Sequence, residues 1–93
     1  IQPSPVVTLN QAVAVSKAHG PAHALPMVEA LCQAGSLRDY PWLHSVRGDL
    51  LRQLGQTSQA RVAFEQAAQL THNVREREWL LKQAQAMPAP GIS

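Results

Sequence analysis

Residues 47–70 read RGDLLRQLGQTSQARVAFEQAAQL, and this stretch predicts two helices joined by a tight turn. Apolar residues recur at steps of three and four on both sides of Gly55, a residue type that suits a turn after a helix. Gly48 and Ala60 are small enough to let two helices approach closely, and Phe64 is large enough to fill the gap that remains. We therefore expect an antiparallel helix pair.

The same pattern occurs earlier in the chain in a constant register. Ala12 precedes Gly48 by 36 residues (48 − 12), and Val28 precedes Phe64 by the same interval (64 − 28). Three further pairs share this interval: Val15 with Leu51, Ala24 with Ala60, and Leu31 with Ala67. A register that continues through two helices predicts a repeated unit, with helix pairs at about 4–34 and about 41–70.

A fifth helix is expected beyond the second pair. Asn73, followed three residues later by Glu76, resembles a capping box that opens a helix over about 73–86. Thr57 or Ser58 is the expected cap of the preceding helix. Because an array of helix pairs needs a solvated outer surface at its end, we expect the fifth helix to be a capping helix. The predicted fold is all-α, with about five helices in antiparallel pairs.

The composition is that of one lightly charged domain over residues 1–93. Eight Lys and Arg against six Asp and Glu give a net charge of +2, and the two signs are interleaved, so no basic stripe for nucleic acid is expected. Cys32 is the single cysteine, which excludes an internal disulfide and fits the reducing cytoplasm. No run of about 18 apolar residues occurs, so we expect no membrane association. The chain starts at Ile1 and ends in a Pro-containing tail, 87–93, so we expect a fragment of a longer protein.

No combination of residues predicts catalysis or metal binding. His19 and His23 are four residues apart, but Gly20 and Pro21 interrupt the helix that would align them as ligands. Cys32 has no neighbouring base in the sequence that would generate a thiolate. No phosphate-binding loop or nucleophile motif occurs. We therefore expect no cofactor, no metal and no enzymatic activity, and a small helical hydrolase or transferase is the competing hypothesis.

The helix-pair pattern resembles the tetratricopeptide repeat, whose period is about 34 residues. The likeness is carried by Gly48, Leu51, Gly55, Ala60 and Phe64, and it implies a right-handed superhelix of antiparallel helix pairs. In arrays of this kind the first helix of each pair lines a binding groove. The residues that the resemblance places there, as candidate partner contacts, are Asn10, Val13, Lys17, Trp42, Ser45, Asp49, Arg52 and Gln53.

For three side chains the sequence also predicts whether they are buried. Trp42 and Trp79 lie among apolar neighbours at helical spacing, so we expect both rings to pack in the core or between repeats. Asn10 is a polar residue in an apolar stretch of the first helix, so we expect it to be buried against a partner group or to cap a backbone turn.

The chain also resembles the tetratricopeptide-like C-terminal extension of the extracytoplasmic-function sigma factors of bacterial RNA polymerase. The likeness is carried by residues 4–15 (SPVVTLNQAVAV), by 35–40 (GSLRDY) with Leu43-His44, and by 47–55 (RGDLLRQLG). It implies a regulatory or interaction module that contacts its own upstream sigma domains, the RNA polymerase core or a signalling protein. The DNA-binding domains of that family precede the matching region, so no direct DNA contact is implied. The alternative is a free-standing tetratricopeptide adaptor that binds a peptide or protein.

This segment alone should not bind duplex DNA in a sequence-selective way, because its charges are mixed and no helix carries clustered base-reading side chains. A titration of the chain with duplex DNA at physiological salt should show only weak, salt-dependent binding. Sub-micromolar binding that discriminates between DNA sequences would contradict this expectation.

Overall fold

Five α-helices make up the part of the protein that the computed structural model describes, residues 4–87. They are α1 (Pro5–His19), α2 (Pro21–Ala34), α3 (Pro41–Gln53), α4 (Thr57–Leu70) and α5 (Val74–Gln85). No strand occurs within residues 4–87. The predicted all-α class with five helices is confirmed, whereas the predicted tail after Met87 lies outside the described residues.

The two helix pairs repeat in the register that the sequence predicts. α3 begins 36 residues after α1 (41 − 5), and α4 both begins and ends 36 residues after α2 (57 − 21 and 70 − 34). Several equivalent positions are buried in both pairs: Ala12 matches Gly48 and Val28 matches Phe64, and all four residues are buried. The 36-residue interval is therefore a structural repeat as well as a sequence pattern.

α3 and α4 approach each other closely at Gly48. A β-carbon added to this glycine would lie 3.1 Å from three atoms of the Phe64 ring, which is closer than ordinary van der Waals contact. The Phe64 side chain is 1 % exposed, so its ring lies directly on the glycine backbone. The absence of a side chain at Gly48 therefore sets the distance between the two helices.

The chain turns between α3 and α4 at Gly55, whose φ of 80° lies in the left-handed region that favours glycine. The backbone N–H of Gln56 donates to the carbonyl of Leu51 at 2.9 Å and closes the turn. Gln56 thereby becomes the N-cap of α4, without a side-chain capping bond. The predicted cap, Thr57 or Ser58, was wrong because both residues already lie inside the helix.

The buried side chains form two cores that meet at α3. The first core, between α1, α2 and α3, contains Leu9, Ala12, Ala24, Val28, Leu31, Leu43, Val46 and Leu50. The second core, between α3, α4 and α5, contains Leu51, Ala60, Phe64, Ala67, Ala68, Leu80, Ala84 and Met87. Leu50 and Leu51 belong to different cores because successive residues of a helix point about 100° apart. Both cores therefore depend on α3.

Two arginines bind α5 to α4. Arg77, near the start of α5, donates to the carbonyls of Ala68 at 3.1 Å and Thr71 at 2.8 Å, at the end of α4. Arg61, near the start of α4, donates to the carbonyl of Met87 at 3.0 Å, just beyond α5. Each guanidinium thus meets carbonyls at the C-terminal end of the other helix, where the helix dipole favours a cation.

The fifth helix begins at the predicted cap. The Asn73 side chain accepts a hydrogen bond from the backbone N–H of Glu76 at 3.0 Å. In a complete capping box, the Glu76 side chain would accept a hydrogen bond from the backbone N–H of Asn73. Here this N–H donates to the Thr71 hydroxyl instead, at 3.2 Å. Leu80 and Ala84 face the second core. The exposed polar side chains of α5 include Arg75, Glu78, Lys82 and Gln85.

Phe64→Ala should lower the free energy of unfolding by about 3–5 kcal/mol, because it removes a fully buried ring and leaves a cavity above Gly48. Gly48→Leu should also destabilise the chain, because the new side chain would need the volume that the ring occupies. Urea and thermal unfolding followed by circular dichroism measure both effects.

Gln69→Ala, at an exposed position of α4, is the matched control and should change stability by less than about 0.5 kcal/mol. Melting temperatures within about 2 °C of the unsubstituted chain for both Phe64→Ala and Gly48→Leu would show that the helix pair does not depend on this contact.

Candidate functional site

A groove lies along the first helices of the two pairs and extends to α5. The residues that line it are Val13, Ser16 and Lys17 from α1, Trp42, Ser45, Val46, Asp49, Leu50 and Gln53 from α3, and Trp79 from α5. Val46 and Leu50 are buried and belong to the first core, so the floor of the groove is continuous with that core. The second helices of the pairs, α2 and α4, contribute no lining residue.

Most of the predicted contact residues lie in this groove. Those that line it are Val13, Lys17, Trp42, Ser45, Asp49 and Gln53. Arg52 lies beside the groove, because its guanidinium donates to the Asp49 carboxylate. Asn10 does not line the groove. The structure therefore brings six of the eight predicted residues together on one surface.

Asn10 is exposed, and the prediction that it is buried was wrong. The equivalent residue in α3 is Val46, 36 positions later (46 − 10), which is 7 % exposed because it packs in the first core. Within residues 4–87 no helix precedes α1, so nothing there covers Asn10 as the first core covers Val46. The apolar sequence around Asn10 predicted burial, but burial also requires a neighbouring helix.

Two tryptophans contribute large exposed surfaces to the groove. Trp42 is 44 % exposed and Trp79 is 51 % exposed. Two placements were predicted for these rings, in the core or between repeats, and the core placement was wrong, because the next residues, Leu43 and Leu80, occupy the core positions of these helices. Trp79 nevertheless contacts the second core edge-on, since its ring centroid lies 6.2 Å from that of Phe64 with an angle of 86° between the planes.

Four lining residues were missing from the predicted set: Ser16, Val46, Leu50 and Trp79. Helical spacing could have identified three of them, because Ser16 follows Val13 by three positions, Val46 follows Trp42 by four, and Leu50 precedes Gln53 by three. Trp79 belongs to neither helix pair, so only the packing of α5 on α4 reveals its place in the groove.

The charges of the groove differ in how far they are already paired. The Asp49 carboxylate accepts hydrogen bonds from the Arg52 guanidinium and, at 2.8 Å, from the Gln53 amide. Lys17 is exposed on α1 and takes part in none of the ion pairs among the described residues. A ligand in the groove therefore meets one carboxylate that is already engaged and one cation that is not.

Titratable side chains between α2, α3 and α4 make structural contacts. Arg47 donates to the Glu29 carboxylate and so connects α3 to α2. His44, which is 7 % exposed, donates from Nε2 to the carbonyl of Arg38 at 2.7 Å, so this nitrogen is not free to act as a base. Burial raises the pKa of the Cys32 thiol, while Arg47 lowers this pKa and Glu29 raises it. The thiol is therefore protonated at neutral pH and weakly nucleophilic.

Within residues 4–87, no three His, Cys, Asp or Glu side chains are grouped so that they could hold a metal ion. None of the described helices is long and apolar enough to cross a bilayer. The groove itself provides an apolar floor, two aromatic rings, hydroxyl and amide groups, and Lys17, which is in no ion pair with another described residue. These are the features of a contact surface for another molecule.

Cys32 should titrate above the ordinary thiol value of 9.0 in the folded chain, because burial disfavours the thiolate. The pH midpoint of its alkylation rate by iodoacetamide reports this pKa, since restricted access scales the rate without moving the midpoint. Glu29→Gln should lower the midpoint and Arg47→Gln should raise it. The chain unfolded in urea is the control, and a folded-state midpoint at or below the urea value would contradict the prediction.

The chain is 48 % identical over 89 residues to an uncharacterized protein of Rhizobium meliloti (strain 1021). The matched region takes in 96 % of this chain but only 21 % of that relative, so the chain spans about a fifth of the relative's length. No known family profile and no solved structure matches the chain. The similarity thus covers nearly the whole chain.

Proposed function

We propose that these residues form the C-terminal protein-interaction module of an extracytoplasmic-function sigma factor in the bacterial cytoplasm. The module supports transcription initiation by contacting its own upstream sigma domains, the polymerase core or a signalling protein, and it contributes no chemistry and no DNA contact. The likeness of residues 4–15, of 35–40 with Leu43-His44, and of 47–55 to that family supports the sigma-factor assignment. The groove supports the interaction role.

The main observation in support of the protein-interaction role is that Trp42 and Trp79 are both exposed in one groove. Covering the exposed part of each side chain would remove on the order of 100 Å² of apolar surface from water, which is on the order of 2–3 kcal/mol per residue. Tryptophan is also among the residues that most often dominate the binding energy of protein interfaces. Two tryptophans above an apolar floor therefore fit a binding surface better than a surface that stays in water.

A free-standing adaptor is the second candidate, and it would use the same groove. The sigma-factor assignment is favoured because the family likeness includes residues outside the groove, such as 35–40 between α2 and α3. The Rhizobium relative is also about five times as long as the matched region, which is compatible with additional domains in that protein. The protonated Cys32 thiol argues against a nucleophilic role. His44 Nε2 is bound to the Arg38 carbonyl, and its Nδ1 is buried without a hydrogen-bond partner among the described residues, so neither nitrogen is open to a substrate.

The test uses the complete protein that carries these residues, in a transcription assay with reconstituted core polymerase. Removing the module should lower promoter output, and adding it as a separate chain should restore output poorly, because the effective concentration provided by the covalent link is lost. Trp42→Ala combined with Trp79→Ala should lower output about tenfold. Val62→Ala, exposed on α4 and outside the groove lining, is the control and should leave output unchanged.

The tryptophan variant must first show an unfolding transition close to that of the unsubstituted protein. Full output after removal of the module, with and without cell extract as a source of a signalling partner, would contradict the sigma-factor assignment and favour the adaptor. Loss of output on removal, combined with full output from the tryptophan variant, would show that the contact surface lies outside the groove.

A further inference from the structure

We infer that the groove binds one amphipathic helix of a protein partner, whose apolar stripe is flanked by carboxylates. This inference rests on the proposed interaction function and adds the chemistry of the partner. Trp42 and Trp79 contact the apolar stripe, and Lys17 contacts the carboxylates.

The shape of the groove fits a helix. α3 contributes six of the ten lining residues, α1 three and α5 one, so α3 forms the floor and the other two helices border it. Neighbouring packed helices lie about 8–10 Å apart. The partner helix, about 10 Å in diameter, packs on α3 between the residues that α1 and α5 contribute.

The hydrogen-bonding groups of the groove also favour a helix over an extended segment. A helix pairs its own backbone N–H and C=O groups, whereas an extended segment needs partners for them on the surface that binds it. Asp49 and Gln53 are bound to each other at 2.8 Å. The other uncharged polar groups of the lining are the hydroxyls of Ser16 and Ser45, the indole N–H groups of the two tryptophans and the side-chain carbonyl of Gln53. They are few, because each residue of an extended backbone presents both an N–H and a C=O group.

The apolar part of the groove defines the matching face of the partner. Trp42 and Trp79 stand on different helices, above a floor formed by Val46 and Leu50. A helix with apolar residues at positions i, i+3, i+4 and i+7 presents one continuous stripe. Such a stripe contacts the floor and both rings at the same time, and this is the usual way in which an amphipathic helix occupies a groove.

The charges of the groove indicate the sign of the charge that the partner carries at this surface. The Asp49 carboxylate is neutralised by Arg52, so it offers little attraction to a basic partner. Lys17 has no such counter-charge among the described residues. A carboxylate beside the stripe is attracted by Lys17, whereas a lysine there is repelled by Lys17.

Three labelled peptides of about 18 residues, long enough to form a helix, test the inference. The first has a stripe of Leu and Phe flanked by Glu, the second has Lys in place of every Glu, and the third is the glutamate peptide with two central prolines that prevent a helix. Fluorescence anisotropy measures their binding to the complete chain. We expect the glutamate helix to bind about tenfold more tightly than either of the other two peptides.

Substitutions in the chain then assign the contacts. Trp42→Ala and Trp79→Ala should each weaken binding of the glutamate helix about tenfold. Lys17→Glu should abolish the preference for the glutamate helix over the lysine helix. Lys82→Glu makes the same charge change on the exposed surface of α5, outside the groove lining, and should leave both affinities unchanged.

Each component of the inference has an outcome that overturns it. Equal or tighter binding of the lysine helix overturns the acidic partner, and equal binding of the proline peptide overturns the helical one. Absence of binding by the glutamate helix, or unchanged affinity in both tryptophan variants, overturns the inference as a whole. The proposed function fails separately, because the transcription assay tests the groove with the natural partner and needs no designed peptide.

Discussion

The contact between Gly48 and the ring of Phe64 is the constraint on which the rest of the structure depends. A β-carbon at Gly48 would lie 3.1 Å from the ring, so a larger residue there would require the ring or α4 to move by a few tenths of an ångström or more. The other side of α3 carries Leu43, Val46 and Leu50 into the first core. Displacing α4 would therefore disturb a helix that belongs to both cores, and a domain of this size has a small total stability to lose.

This packing also determines the groove. The Phe64 ring is in edge contact with Trp79, so the position of α4 on Gly48 determines where a groove-lining tryptophan of α5 lies. Trp42 lies on α3 itself, next to the buried Leu43. The surface proposed to bind a partner is thus a direct extension of the two cores.

A repeated unit cannot cover its own outer surfaces, so both outer helices of the described residues expose apolar side chains. At the C-terminal side, α5 is fixed on α4 by Arg61 and Arg77, and it exposes Val74, Trp79 and Leu81 beside its polar side chains. At the other end, Val7 is 46 % exposed, whereas its equivalent 36 positions later (43 − 7), Leu43, is fully buried. The same register position is therefore a core residue in one unit and a surface residue in the other.

Local properties of the sequence determined the helices, their 36-residue register and the pairing of small residues with Phe64, because periodicity, capping and side-chain size are properties of neighbouring residues. The spacing of residues along one face of α1 and one face of α3 also identified six residues of the groove. The exposure of Asn10, Trp42 and Trp79 was decided only by the tertiary structure. An apolar context favours burial, but burial occurs only where another helix packs on that face. Trp79 in particular joined the groove because α5 docks on α4, a long-range contact that no local pattern encodes.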